Sequence, residues 1–133
     1  MRGIDALVQA RLCYRERMAP HKRFIAWQEC HKLVLVVYKA TEGFPKYELY
    51  GLTSRARRAA FSAPANIVEG ASRKGRNEFR HFLDIALGSL GELEYILEVA
   101  AALEYLKPEA YQALQAQQQR ARFFTWKLKR SML

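Results

Sequence analysis

The chain has 133 residues, of which 50% are apolar and 26% are charged. This composition is typical of one ordinary globular domain. No apolar run approaches the roughly 18 residues of a membrane-spanning helix. The two cysteines have neither metal-ligand spacing nor the density of a disulfide framework. We therefore expect a cytoplasmic protein without structural disulfides.

The net charge of +9 is segregated along the chain. Residues 1–25 carry six basic and two acidic side chains, residues 55–80 carry seven and two, and residues 110–133 carry five basic and no acidic ones. Residues 81–109 carry one basic side chain against six acidic ones. Segregated basic charge is typical of proteins with an anionic polymer as partner, although many small basic proteins bind none.

Residues 1–22 are predicted to form an N-terminal extension, followed by a four-helix bundle domain over residues 23–133. The first helix is predicted over residues 24–42, because apolar side chains recur there at helical spacing. Residues 43–51 are a predicted loop, since Pro45 cannot continue a helix.

The second helix is predicted to begin near residues 52–54, with Thr53 or Ser54 as its N-cap, and to end at Gly70. Its inner stripe is mostly alanine, so a neighbouring helix can approach closely. Pro64 falls inside this helix. Because proline lacks an amide hydrogen and its ring crowds the preceding turn, the helix can continue past it only with a kink.

The third helix is predicted over residues 77–105, and the fourth from Pro108 to about Leu128. Gly88 and Gly91 lie inside the third helix, where each costs about 1 kcal/mol against alanine. We interpret both glycines as close-packing positions. Four helices joined by short loops predict an all-α fold, an antiparallel up-down four-helix bundle.

Motifs for catalysis or metal binding are sparse. Glu78 and His81 form one Glu-x-x-His pair, the spacing that di-iron bundles use, but the sequence holds no second pair. Cys30 and His31 are adjacent on a predicted helix, so their side chains diverge by about 100°. No Gly-x-Ser-x-Gly elbow and no phosphate-binding glycine loop occurs. We therefore predict a protein that is not an enzyme, with no catalytic residue, cofactor or metal.

Basic side chains cluster at both ends of the second helix, about 25 Å apart by helical rise. They therefore form two patches, unless oligomerisation repeats them in a ring. The predicted nucleic-acid-binding residues are Arg55, Arg57, Arg73, Lys74, Arg76 and Arg80.

A third basic patch spans residues 120–130 of the fourth helix and includes Phe123, Phe124 and Trp126. Basic side chains beside exposed aromatic rings suit single-stranded nucleic acid, whose bases stack. The alternative, which we favour, is that these rings pack against the bundle or another subunit.

A polar line follows the second helix and has a possible partner on the third. The members of this predicted structural polar seam are Arg58, Ser62, Asn66, Glu69 and Glu92. It could be a reaction site, an RNA-binding face or a structural joint. We favour the joint, because Ser62 and Asn66 have no base or nucleophile beside them.

One hypothesis for the joint is a set of ion pairs. Arg58 and Glu69 would pair with charges on the third helix, such as Glu92 or Glu94, or across a subunit interface. Arg55 and Arg57 would then remain to face a ligand.

Three segments closely resemble the four-helix-bundle family of proteins encoded in intervening sequences of 23S ribosomal RNA. They are "FIAWQECHKLVLVVYKATEGFP" (24–45), "YGLTSRARRAAFSAPANIVEGASR" (50–73) and "NEFRHFLDIALGSLGELEYILEVAAALEYL" (77–106). The resemblance implies four antiparallel helices, usually assembled as a homopentamer, and a second helix that continues past its proline. At fold level the chain is also similar to the accessory basic bundle of diversity-generating retroelements, which forms a pentamer and binds nucleic acid and a reverse transcriptase.

Together these features predict a non-enzymatic, basic, oligomeric helical bundle that binds RNA or other nucleic acid through arginine and lysine patches. The alternative is a protein-protein assembly scaffold or accessory subunit with no direct nucleic-acid contact. Neither interpretation requires a membrane.

Overall fold

The computed structural model describes residues 19–133 and, apart from these, Ala6. Most of the predicted N-terminal extension, residues 1–22, therefore lies outside the described residues. The described chain forms four α-helices, and a 3₁₀ turn over Pro20–Arg23 precedes the first of them. The helices are α1 (Ile25–Thr41), α2 (Leu52–Ala71), α3 (Arg76–Ala102) and α4 (Pro108–Arg130).

Each helix packs against two neighbours, in the order α1, α2, α3, α4 and back to α1. Because the connections are short, consecutive helices run antiparallel. The prediction of an all-α four-helix bundle is confirmed, and no strand occurs within residues 19–133.

The core joins an alanine stripe on α2 to a leucine stripe on α3. Ala56, Ala60 and Ala63 are fully buried, as are Leu83 and Leu90. The small alanine side chains let the two helix axes approach closely, and α2 and α3 form the most extensive helix pair of the bundle.

Two predicted helix ends differ from the structure. The predicted caps Thr53 and Ser54 lie inside α2, which begins at Leu52. Glu48 takes the cap role from the preceding turn, because its Oε1 accepts a hydrogen bond from the Leu52 amide at 3.3 Å. Helix α3 ends at Ala102 rather than near Tyr105.

The interpretation of Gly88 and Gly91 as close-packing positions is wrong for the described chain. A Cβ atom added to either glycine would meet no other atom within 4 Å. Gly70 is the glycine that packing requires, because its Cβ would lie 2.8 Å from Phe79 Cδ1 and 2.9 Å from Phe82 Cβ. Helix α2 continues through Pro64, whose ring is buried in the bundle.

Candidate nucleic-acid interface

The up-down order brings the beginnings of α1 and α3 and the ends of α2 and α4 to one end of the bundle. We call this the basic end, formed by residues 20–27, 66–82 and 123–133, which together hold nine basic and two acidic side chains. The opposite end, residues 39–58 and 98–109, holds six basic and five acidic side chains. The positive charge is therefore concentrated at one end of the molecule.

Contacts between the helices establish this grouping. The rings of Phe24 and Phe79 meet edge to face at 5.6 Å, which brings the start of α1 to the start of α3. Lys129 of α4 forms an ion pair with Asp84 of α3. The second and third basic patches of the sequence thus lie together at the basic end.

Three predicted site residues lie at the turn between α2 and α3. Lys74 and Arg76 are exposed. Arg73, just beyond the end of α2, pairs with Glu69 at 2.5 Å, and its guanidinium lies 5.1 Å from the centre of the Phe82 ring. The hypothesis that Glu69 pairs with α3 is therefore wrong, and Arg73 is partly neutralised.

Arg80 is half-buried and faces α4. It lines a hollow of about 240 Å³ with Trp126, Lys129, Arg130 and Leu133. Its buried Nε has no hydrogen-bond partner among residues 19–133. Arg80 therefore joins the predicted α2–α3 residues to the basic C-terminal part of α4.

The aromatic residues on α4 differ in how far they are buried. Phe124 packs against the core, with Arg120 5.1 Å from its ring centre. Phe123 is 51% exposed and Trp126 is 45% exposed. Packing against the bundle therefore applies to Phe124, whereas Phe123 and Trp126 are about half exposed in one protomer. For these two rings, stacking on nucleic acid and packing against another subunit both stay predictions.

Arg55 and Arg57 lie at the opposite end, and Arg57 is held by α1. Its Nε donates a hydrogen bond to Thr41 Oγ1 at 2.9 Å, and its guanidinium lies 4.9 Å from the centre of the Tyr38 ring. Arg57 thus ties α2 to α1, contrary to the expectation that it faces a ligand. Arg55 is exposed.

The polar seam runs between α2 and α3. Ser62 and Ser89 share a hydrogen bond of 2.8 Å across the two helices, and Asn66 Nδ2 donates to the Ser62 carbonyl at 2.8 Å. Arg58 and Glu92 line the same groove as these serines, about 500 Å³ in volume.

Within residues 19–133, the predicted ion pairs between the seam and acidic side chains of α3 do not form, while pairing across a subunit interface stays a prediction. Among residues 19–133, Arg58 pairs with no acidic side chain within 4.0 Å. Glu94 pairs instead with Arg122 of α4 at 3.0 Å.

Glu29 is a buried polar residue that sequence reasoning missed. It accepts a hydrogen bond from Gln117 at 2.9 Å and contacts Arg120 at 3.1 Å and Lys32 at 3.3 Å. The Gln117 hydrogen bond lowers the Glu29 pKa, although burial opposes this. A signal existed in the sequence, since Glu29 falls between Ala26 and Cys30 on the apolar stripe of α1.

Cys30 is fully buried, and its Sγ lies 3.5 Å from Thr125 Oγ1. Burial raises the pKa of this thiol to about 11, so it stays protonated at neutral pH. His31 points elsewhere and stacks on Trp27 at 5.0 Å. In the part of the chain that the structure describes, no three His, Cys, Asp or Glu side chains could hold a metal ion.

None of the described helices is long and apolar enough to cross a membrane.

Comparisons with known proteins relate the chain to a solved structure and to a protein family. The fold is similar to a crystal structure of a protein with unknown function from the S23 ribosomal protein family of Bacteroides thetaiotaomicron VPI-5482. That match has a TM-score of 0.71 and 21% sequence identity, and it covers 79% of this chain and 98% of the other. No curated protein sequence matches this chain. A family model described as 23S rRNA-intervening sequence protein matches residues 22–123. Because that match spans most of the sequence, the chain belongs to the family of 23S rRNA-intervening sequence proteins.

Proposed function

We propose that this protein is a non-enzymatic, oligomeric helical bundle that binds RNA or other nucleic acid through its basic end. The observation that carries the proposal is the grouping of nine basic and two acidic side chains at that end. The name of the family, which refers to 23S rRNA, favours an RNA ligand.

The side chains at the basic end differ in how free they are to reach a phosphate. Lys74 and Arg76 are exposed and form no ion pair with other residues of the described range 19–133. Arg73 and Lys129 already pair with carboxylates. We therefore expect Lys74 and Arg76 to contact phosphates more readily than Arg73 and Lys129, and Arg55 at the opposite end to make no contact with the same ligand.

Fluorescence anisotropy with labelled RNA and DNA tests this function. Phosphate contacts release condensed counterions, so the affinity should fall linearly with salt on a double-logarithmic plot. Absence of salt-sensitive binding at low micromolar protein would remove the nucleic-acid proposal.

A second candidate, an assembly scaffold, is favoured by the groove between α2 and α3. Beyond the seam, this groove continues as an apolar hollow of about 410 Å³, whose walls include Leu52, Ile96 and Leu103. Tyr95 at its wall is 66% exposed. Open space beside Gly88 would let another helix approach the backbone of α3. A second copy of the chain is the occupant we propose.

Sedimentation equilibrium tests self-association. We expect a mass above that of the monomer for the parent protein. Tyr95→Glu should lower that mass, because a new carboxylate would be buried beside Glu92. Leu35→Glu on α1, a site with 57% exposure, is the matched control and should leave the mass unchanged. A monomeric parent at high concentration would refute this candidate.

A further inference from the structure

Two hollows between α3 and α4 share Trp126 as a lining residue, and we call them together the Trp126 groove. The first hollow, about 240 Å³, includes Arg80 and Arg130. The second, about 350 Å³, is lined by Leu87, Gln119, Arg122, Phe123 and Trp126. Because Trp126 belongs to both, a ligand that occupies both hollows contacts its side chain.

The groove offers two flat rings in sequence. The centres of the Phe123 and Trp126 rings lie 6.4 Å apart, with their planes inclined at 32°. About half of each side chain is exposed. Each of the two rings can stack on one nucleobase, as aromatic side chains do in proteins that bind single strands.

Cations accompany each ring. The Arg130 guanidinium lies 5.3 Å from the centre of the Trp126 ring, and Lys127 Nζ lies 6.0 Å from that of Phe123. A base stacked on either ring would therefore place its phosphate near a positive charge. Lys129 contributes less, because Asp84 neutralises it.

Arg80 supplies a donor that lacks an acceptor. Its Nε is buried and without a hydrogen-bond partner within residues 19–133. A buried donor without a partner is unfavourable. Because the Arg80 side chain lines the first hollow, a small turn of its guanidinium would offer a donor to a phosphate oxygen there. The groove thus combines stacking surfaces with a guanidinium at its wall.

We propose that the Trp126 groove binds single-stranded nucleic acid, with a base stacked on Trp126 and the adjoining phosphate held by Arg80 and Arg130. This inference rests on the proposed nucleic-acid function and names the form of nucleic acid that it takes. A duplex keeps its bases paired and stacked, so it can reach the basic end but cannot offer a base to the ring.

Tryptophan fluorescence and affinity test the proposal together. Trp27→Phe leaves Trp126 as the single tryptophan of the chain, and a single strand of about ten nucleotides should then quench its emission. In the otherwise unchanged protein, Trp126→Ala should weaken single-strand binding by about 5- to 100-fold. The same variant should leave duplex affinity and the salt dependence of binding unchanged, because the indole contacts no phosphate.

Tyr50→Ala is the control for removal of an aromatic ring. Tyr50 is 93% exposed and lies in the loop at the opposite end, so its removal should not affect binding of either form. Arg80→Lys keeps the charge but removes the Nε donor, and it should weaken single-strand binding as well.

Three results would overturn the inference. If single strands and duplexes bind with equal affinity and Trp126→Ala changes neither, the groove is not the site, although nucleic-acid binding at the basic end stands. If Trp126→Ala lowers the sedimentation mass instead, the groove is an interface between copies. If neither form binds to the parent protein, the proposed function fails and the groove proposal fails with it.

Discussion

At the scale of single residues, Glu29 is the buried charge on which the contact between α1 and α4 depends. Its carboxylate accepts from Gln117 and pairs with Arg120, both on α4. Because Arg120 and Lys32 keep much of their side chains in water, removing the carboxylate does not strand a buried cation. Removing the carboxylate therefore lowers the free energy of unfolding mainly through the loss of its charged hydrogen bonds.

We expect Glu29→Gln to lower the free energy of unfolding by about 1–3 kcal/mol at neutral pH. The folded-state pKa of Glu29 lies below its ordinary value, so its stabilisation is full above the unfolded-state pKa. That stabilisation disappears as the pH falls through the lowered pKa. Urea titrations of both proteins across pH should therefore give curves that converge in acid.

The exposed Glu42 at the end of α1 provides the control. Glu42→Gln should have little effect on the free energy of unfolding at any pH. A Glu29→Gln variant with the same pH profile as the parent would show that the Glu29 cluster does not stabilise the fold.

Side-chain contacts between helices are the feature that the sequence predicts least well. The hydrogen bond from Arg57 to Thr41 joins residues sixteen positions apart on different helices, and no periodicity reveals it. The pair of Arg73 and Glu69 is more predictable, because the two residues are only four positions apart at the end of α2. Such local pairs can be predicted from the sequence, whereas contacts between helices can be identified only when the packing of the helices is known.

At the scale of elements, the end of α3 stores conformational strain. Glu104 has a φ of +63°, and the Tyr105 amide after it donates to the Ala100 carbonyl at 2.8 Å. This is a Schellman ending, in which glycine normally takes the left-handed position. A side chain there costs about 1–2 kcal/mol, part of which glycine would recover.

We expect Glu104→Gly to raise the free energy of unfolding by about 1 kcal/mol. Glu98→Gly, in the exposed interior of the same helix, should lower it by a similar amount. Urea midpoints at one fixed protein concentration provide the measurement, since association would shift them. Equal destabilisation by both changes would contradict the Schellman assignment.

The helices themselves were predictable because each buries one stripe of apolar residues at regular spacing. The ends of the helices were less predictable. The cap of α2 comes from Glu48 in the preceding turn, and the left-handed position after α3 holds Glu104 rather than a glycine. Both endings depend on backbone geometry that residue preference does not specify.

At the scale of the whole molecule, the antiparallel topology places basic segments that are distant in sequence at one end of the bundle. The beginning of α3 and the C-terminal part of α4 are about 50 residues apart in sequence, yet Arg80 of α3 lines one hollow with Trp126 and Arg130 of α4. The up-down order of four helices already implies this meeting. The Trp126 groove did need the structure, because the exposure of individual rings decides it.

The length of α2 also separates basic residues that belong to one segment of the sequence. Arg55 and Arg73 belong to the same basic stretch, but α2 carries them to opposite ends, about 27 Å apart by helical rise. Within one protomer, a ligand at the basic end is therefore out of reach of Arg55. This separation makes the two ends independent in a charge-removal experiment.

The salt dependence of binding by two double variants tests the central claim most directly. Lys74→Gln with Arg76→Gln removes two exposed charges from the basic end, and Lys39→Gln with Lys46→Gln removes two from the opposite end. The first pair should weaken binding and reduce the slope of log affinity against log salt by about 0.7–0.9 for each phosphate that is no longer neutralised. The second pair should leave the slope unchanged. Equal slopes for the two double variants would contradict a nucleic-acid site at the basic end.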